Sequence, residues 1–134
     1  METDWTNSLR DILQALAMPA KAQIEITHPA CPTCDLSDDF ELYARLYREQ
    51  EPTLSSERLD ALKALDEQFA AMSDDHYECW NLTALDLDGW EATRGLARAA
   101  LDAFGFPITQ PESYVEVEPG VWKRSSNTIV SSSE

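Results

Sequence analysis

A chain of 134 residues has the size of one domain with its own hydrophobic core, and an apolar fraction of 43% argues against wholesale disorder. Twenty-five acidic side chains against ten basic ones give a net charge of -15. Such a surface repels nucleic-acid phosphate and anionic lipid and attracts basic partners. No apolar run approaches the ~18 residues of a membrane helix, and the acidic start from Met1 to Trp5 is unlike a secretory signal. A cytoplasmic protein is therefore expected, with no membrane association and no direct nucleic-acid binding.

In chain order, Trp5, Leu9, Ile12, Leu13 and Leu16 recur at helical spacing and predict a helix from about Asp4 to Met18. Between Pro19 and Pro29, Ala22, Ile24 and Ile26 alternate with polar residues, a period of two that predicts a strand with one wet face. Ser37 is placed to cap the next helix, whose first turn holds Asp38, Asp39 and Glu41 near the positive helix end. Phe40, Tyr43 and Tyr47 mark one side of that helix, which should run to about Gln50 and stop at Pro52.

Ser55 or Ser56 opens a further helix with Leu59, Leu62, Leu65, Phe69 and Met72 as its apolar stripe. The final helix has the firmest limits. Asp88 followed by Glu91 has the form of a capping box, and Gly105 before Phe106 and Pro107 is a C-terminal stop. Trp90, Leu96, Ala97, Ala100, Leu101 and Phe104 form its apolar face. Tyr114 to Glu118 alternates again, Pro119-Gly120 is a turn, and Val121 to Lys123 can return as a second strand. The expected fold is α+β, predominantly helical with about four helices and a small two- or three-stranded antiparallel sheet. Residues 1–126 form a single acidic globular domain, and 127–134 a flexible C-terminal tail.

Two features bear on function. Between Asp35 and Glu78, thirteen acidic side chains stand against four basic ones. Tyr43 and Tyr47 lie one helical turn apart within this stretch, and Trp80 follows Glu78 closely. Aromatic side chains bordered by acids are a good interface composition. The leading expectation is an acidic binding protein that meets a basic protein partner through Tyr43, Tyr47, Trp80, Glu41, Glu49, Asp60 and Glu67. Toxin-neutralising immunity proteins and other small inhibitors share this size and acidity, so an inhibitor role is expected in preference to catalysis. No cofactor is required.

The second feature is the cluster of every histidine and cysteine in His28-x-x-Cys31-x-x-Cys34 and His76-x-x-Cys79. Cysteines two residues apart can reach one zinc from a tight turn, and His76 with Cys79 would complete a tetrahedron. The alternative function is therefore a small zinc-binding protein using Cys31, Cys34, His76 and Cys79, or a thiol-redox protein using the Cys31/Cys34 pair. Asp35, Asp38 and Asp39 weigh against a thiolate there. The simplest role for Cys79 is that of a small buried hydrophobe. The four glycines are isolated, so a Gly-rich phosphate loop is absent.

Overall fold

In a computed structural model of the chain, described for residues 5–51, 53–78, 80–111 and 115–123, the core is built by five α-helices. They are α1 (Thr6–Ala17), α2 (Ala20–Thr27), α3 (Pro32–Gln50), α4 (Ser56–Ala71) and α5 (Asp88–Phe104). Two 3-10 turns, Asp74–Tyr77 and Leu82–Asp86, link α4 to α5. Helix α5 lies against both α1 and α4, and α1 also packs on α3. Leu9, Leu13 and Leu16 of α1 meet Leu36 and Phe40 of α3, Leu62 and Leu65 of α4, and Trp90 and Leu101 of α5 in one buried cluster.

Helix α4 opens at Ser55, whose hydroxyl accepts the Arg58 N–H at 3.3 Å. Helix α5 closes at Gly105, left-handed with φ 74°, where the Phe106 N–H reaches the Leu101 carbonyl at 2.9 Å. That bond satisfies one of the carbonyls a helix end would leave unpaired. At the other end of α5 the capping box does not form. Leu87 is the N-cap, Asp88 is the first helical residue, and Glu91 instead accepts a hydrogen bond from Arg94 at 2.9 Å.

The α+β expectation is corrected to an all-helical core. The segment read as a strand, Ala22 to Thr27, lies in α2, because Gln23, Ile26 and Thr27 share one buried helical face. Gln23 is not solvated. Its Nε2 donates to the Ala15 and Leu16 carbonyls at 3.2 and 3.0 Å in the last turn of α1, where Ala15 also accepts the Met18 N–H at 3.3 Å. The remaining β structure is a short ribbon, β1 (Val115–Glu118) and β2 (Val121–Lys123), with a bulge between Glu116 and Glu118. Residues 115–121 are all exposed, so the ribbon forms no layer of the core. Pro52, Cys79, Tyr114 and the tail expected at 127–134 lie outside the described residues.

Helix α3 begins earlier than its composition suggests. Cys31 is the N-cap with extended backbone, and Pro32 takes the first helical position, where a missing N–H costs nothing. Ser37 is then one turn inside. Its hydroxyl donates to the Thr33 and Cys34 carbonyls at 2.9 and 3.2 Å and does not cap the helix.

Candidate functional site

An open groove of about 420 Å³ runs between α3 and α4. Ser37, Asp38, Phe40 and Glu41 come from adjacent turns of α3, and Asp66, Phe69 and Ala70 from adjacent turns of α4. Tyr77 of the first 3-10 turn completes the lining. The rings of Phe40 and Phe69 lie 5.3 Å apart, and Phe69 and Tyr77 each meet Trp90 edge-on at 5.9 and 6.4 Å. Burial raises the Tyr77 hydroxyl above the ordinary tyrosine range, and that hydroxyl donates to the Phe69 carbonyl. Phe40 is itself buried, so the aromatic surface open to the groove is that of half-buried Phe69 and Tyr77, supported from beneath by fully buried Trp90.

The rim is acidic. Asp38, Glu41 and Asp66 are exposed. Asp66 accepts a 2.7 Å hydrogen bond from Arg48, whereas Asp38 and Glu41 make no ion pair among the described residues. Carboxylates over aromatic faces suit a cation with an apolar stem. The charge meets the carboxylates while the methylenes and the π-faces exclude water.

No protein-family model, curated protein or solved structure matches the chain.

The residues expected to make contact separate into three environments. Glu41, Glu49, Asp60 and Glu67 are exposed, Glu41 within the groove. Tyr47 is not at the surface: it is buried, its ring lies 5.6 Å from that of Phe104, and its hydroxyl accepts from Arg58 at 3.3 Å. Tyr43 is half-buried against Trp5, with ring centroids 5.9 Å apart. Trp80 is 64% exposed and stands elsewhere, beside Cys31. Together with Ile24, His28, Pro29, Ala30, Pro32 and Leu82 it lines an apolar niche of about 160 Å³.

The metal set does not assemble among the described residues, where no three histidine, cysteine, aspartate or glutamate side chains converge on a point suited to an ion. Cys79 lies outside the described residues. His76 is held by Asp75 at 3.1 Å, and its ring lies over Gly89, where an added Cβ would stand 2.5 Å from Nε2. Its carbonyl accepts the Trp90 indole N–H at 2.9 Å. Its place is at the junction of α4, the 3-10 turn and α5.

Cys31 and Cys34 are brought together at the start of α3. The Trp80 N–H reaches Cys31 Sγ at 3.1 Å from a segment 49 residues away. The Thr33 hydroxyl lies 3.7 Å away, and the backbone N–H and thiol of Cys34 lie near enough to favour negative charge on the same sulfur. Burial opposes the thiolate, but these four donors outweigh it and lower the Cys31 thiol from 9.0 to about 7.

Their spacing places Phe40 and Phe69 on the apolar stripes of their helices and does not link them to the rim acids. The signal was present as matched i, i+3, i+4 sets, Ser37/Phe40/Glu41 and Asp66/Phe69/Ala70, but only the packing of α3 against α4 makes them face each other.

Proposed function

We propose that the protein is an acidic binding protein whose α3–α4 groove receives a basic segment of a partner protein. The observation that carries this reading is the groove itself, with the half-buried rings of Phe69 and Tyr77 beside the carboxylates of Asp38 and Glu41, which make no ion pair among the described residues. An arginine or lysine side chain matches both parts, and its charge is drawn in by the net charge of -15. The aromatic surface supplies affinity, and the acids supply orientation and association rate. Within this reading, an inhibitor or immunity-type role follows if the bound segment belongs to the working surface of a basic enzyme.

The test is fluorescence anisotropy with a labelled peptide in which arginines alternate with apolar residues, compared with the same peptide carrying glutamates. Salt-sensitive binding of the arginine peptide is expected, weakened at least about tenfold, or 1.4 kcal/mol, by Asp38→Lys with Glu41→Lys. Equal affinity of the native and charge-reversed proteins would overturn the assignment.

A further inference from the structure

We infer that Cys31 and Cys34 form a thiol–disulfide exchange site that reduces small disulfides of the glutathione class and closes to an intramolecular disulfide. This site is separate from the α3–α4 groove and does not depend on its reading. Three geometric facts lead to it. The two residues are one helical turn apart, a separation at which Cβ atoms lie about 5–6 Å from each other and a modest adjustment brings them to disulfide distance. Both belong to the first turn of α3, Cys31 as its extended N-cap and Cys34 three residues on, so the two side chains leave the same end of the helix. The third fact is the Trp80 N–H, directed at Cys31 Sγ from outside the motif and able to stabilise negative charge on that sulfur.

Exposure divides the roles. Cys31 is 9% exposed and lies beneath Trp80, whereas Cys34 is half-buried and the more open to a reagent. Cys34 is therefore the entry thiol. As a thiolate it attacks one sulfur of the small disulfide RSSR, breaking the S–S bond, releasing RS⁻ and forming Cys34–S–S–R. The Cys31 thiolate then attacks the Cys34 sulfur, releases the second RS⁻ and leaves the Cys31–Cys34 disulfide. Two electrons pass from the protein dithiol to RSSR, and the two protons lost by the cysteines end on two molecules of RSH. The attacking thiol in the second step is the one held among donors, which keeps it ionised where exchange is fastest. The niche formed by His28, Pro29, Pro32, Trp80 and Leu82 lies alongside and offers an apolar wall to the R group.

The test uses the full native chain without denaturant, equilibrated in buffers of fixed reduced-to-oxidised glutathione ratio, acid-quenched, alkylated and digested with trypsin. Both cysteines fall in the peptide 22–45, while Cys79 falls in another. Wild-type protein should lose both alkylation sites of that peptide together, with the mass of two hydrogens, at a midpoint set by the glutathione ratio. Cys31→Ser should instead accumulate a glutathione adduct on Cys34 that does not resolve. Cys34→Ser should acquire its adduct on Cys31 at least about tenfold more slowly. Independent oxidation of the two thiols overturns the proposal. So does a link from either of them to Cys79, or thiol loss seen only in denaturant. Faster adduct formation on Cys31 than on Cys34 overturns the assignment of roles.

Discussion

The side chain of Gln23 joins three elements by facing Arg94. Its oxygen accepts from Arg94 Nε and Nη2 at 3.3 and 3.2 Å, while its nitrogen caps the end of α1. Arg94 is 5% exposed and also donates to the Leu85 carbonyl in the second 3-10 turn. One buried amide and one buried guanidinium thus tie α1, α2, α5 and the turn before α5.

Removing either partner leaves buried polar groups without bonds. Arg94→Met leaves the Gln23 oxygen and the Leu85 carbonyl unpaired and should cost about 2–5 kcal/mol. Gln23→Leu should cost a similar amount, because Arg94 Nε loses its acceptor and the Leu16 carbonyl its donor, although the Arg94 charge keeps its pairing with Glu91. The double variant should lose less than the sum of the two, since neither group is then left facing a missing partner. Urea unfolding of the three proteins measures this. Strict additivity would show that the pair is not coupled.

Gly89 is the second position where a small change should be felt. A Cβ there would meet His76 Nε2 at 2.5 Å and Met72 Sδ at 2.9 Å. Alanine is the better helix former by up to about 1 kcal/mol, but the overlap should reverse that and destabilise Gly89→Ala by about 1–3 kcal/mol. Adding His76→Ala should restore part of the loss. Thermal melts followed by circular dichroism distinguish relief of the clash from a simple propensity gain.

The two tyrosines of α3 should part company. Tyr47→Ala, like Trp90→Ala and Phe104→Ala, opens a cavity in the core and should cost roughly 3–5 kcal/mol. Tyr43→Ala removes a half-buried ring packed on Trp5 and should cost less. A denaturant midpoint lower for Tyr43→Ala than for Tyr47→Ala would contradict this placement.

Cys31 makes stability depend on pH. Its folded pKa, about 7, lies below the ordinary 9.0, so the unfolded chain binds more protons between these values. The contribution of the thiolate is complete above about pH 9 and is lost as the pH falls through about 7. Under reducing conditions, unfolding free energy should rise over this window in the wild type by more than in Cys31→Ser. Parallel pH profiles for the two proteins would remove the thiolate from the account.

Helix limits set by local chemistry were legible in advance. Ser55 and Gly105 act through backbone groups within a few residues, and the stripes of α1 and α5 follow from spacing alone, whereas on α4 the spacing gives Leu62 and Leu65 correctly but also Leu59, which is 45% exposed. Helix α2 was not legible, because eight residues hold too few apolar side chains to separate a period of two from one of 3.6. The buried residue that decides between them, Gln23, is polar and reads as solvated until Arg94 arrives from 71 positions away. Tyr43 and Tyr47 look alike in sequence, and only the approach of Phe104 from α5 sends Tyr47 inward. The rim acids were visible as charge, but their aromatic lining belongs to two helices whose mutual orientation no local pattern encodes.

The position of α5 against both α1 and α4 has a consequence for synthesis. Until residues 88–104 have left the ribosome, Leu9, Leu13 and Leu16 at one end of the chain and Leu62 and Leu65 further along lack the surface that finally covers them. Closing so long a loop adds only slowly growing entropy, but it delays the contacts that reward it. A nascent chain halted before Asp88 would carry exposed apolar helices under a strong negative charge, and mutual repulsion between such chains would help keep them apart while the last helix is made.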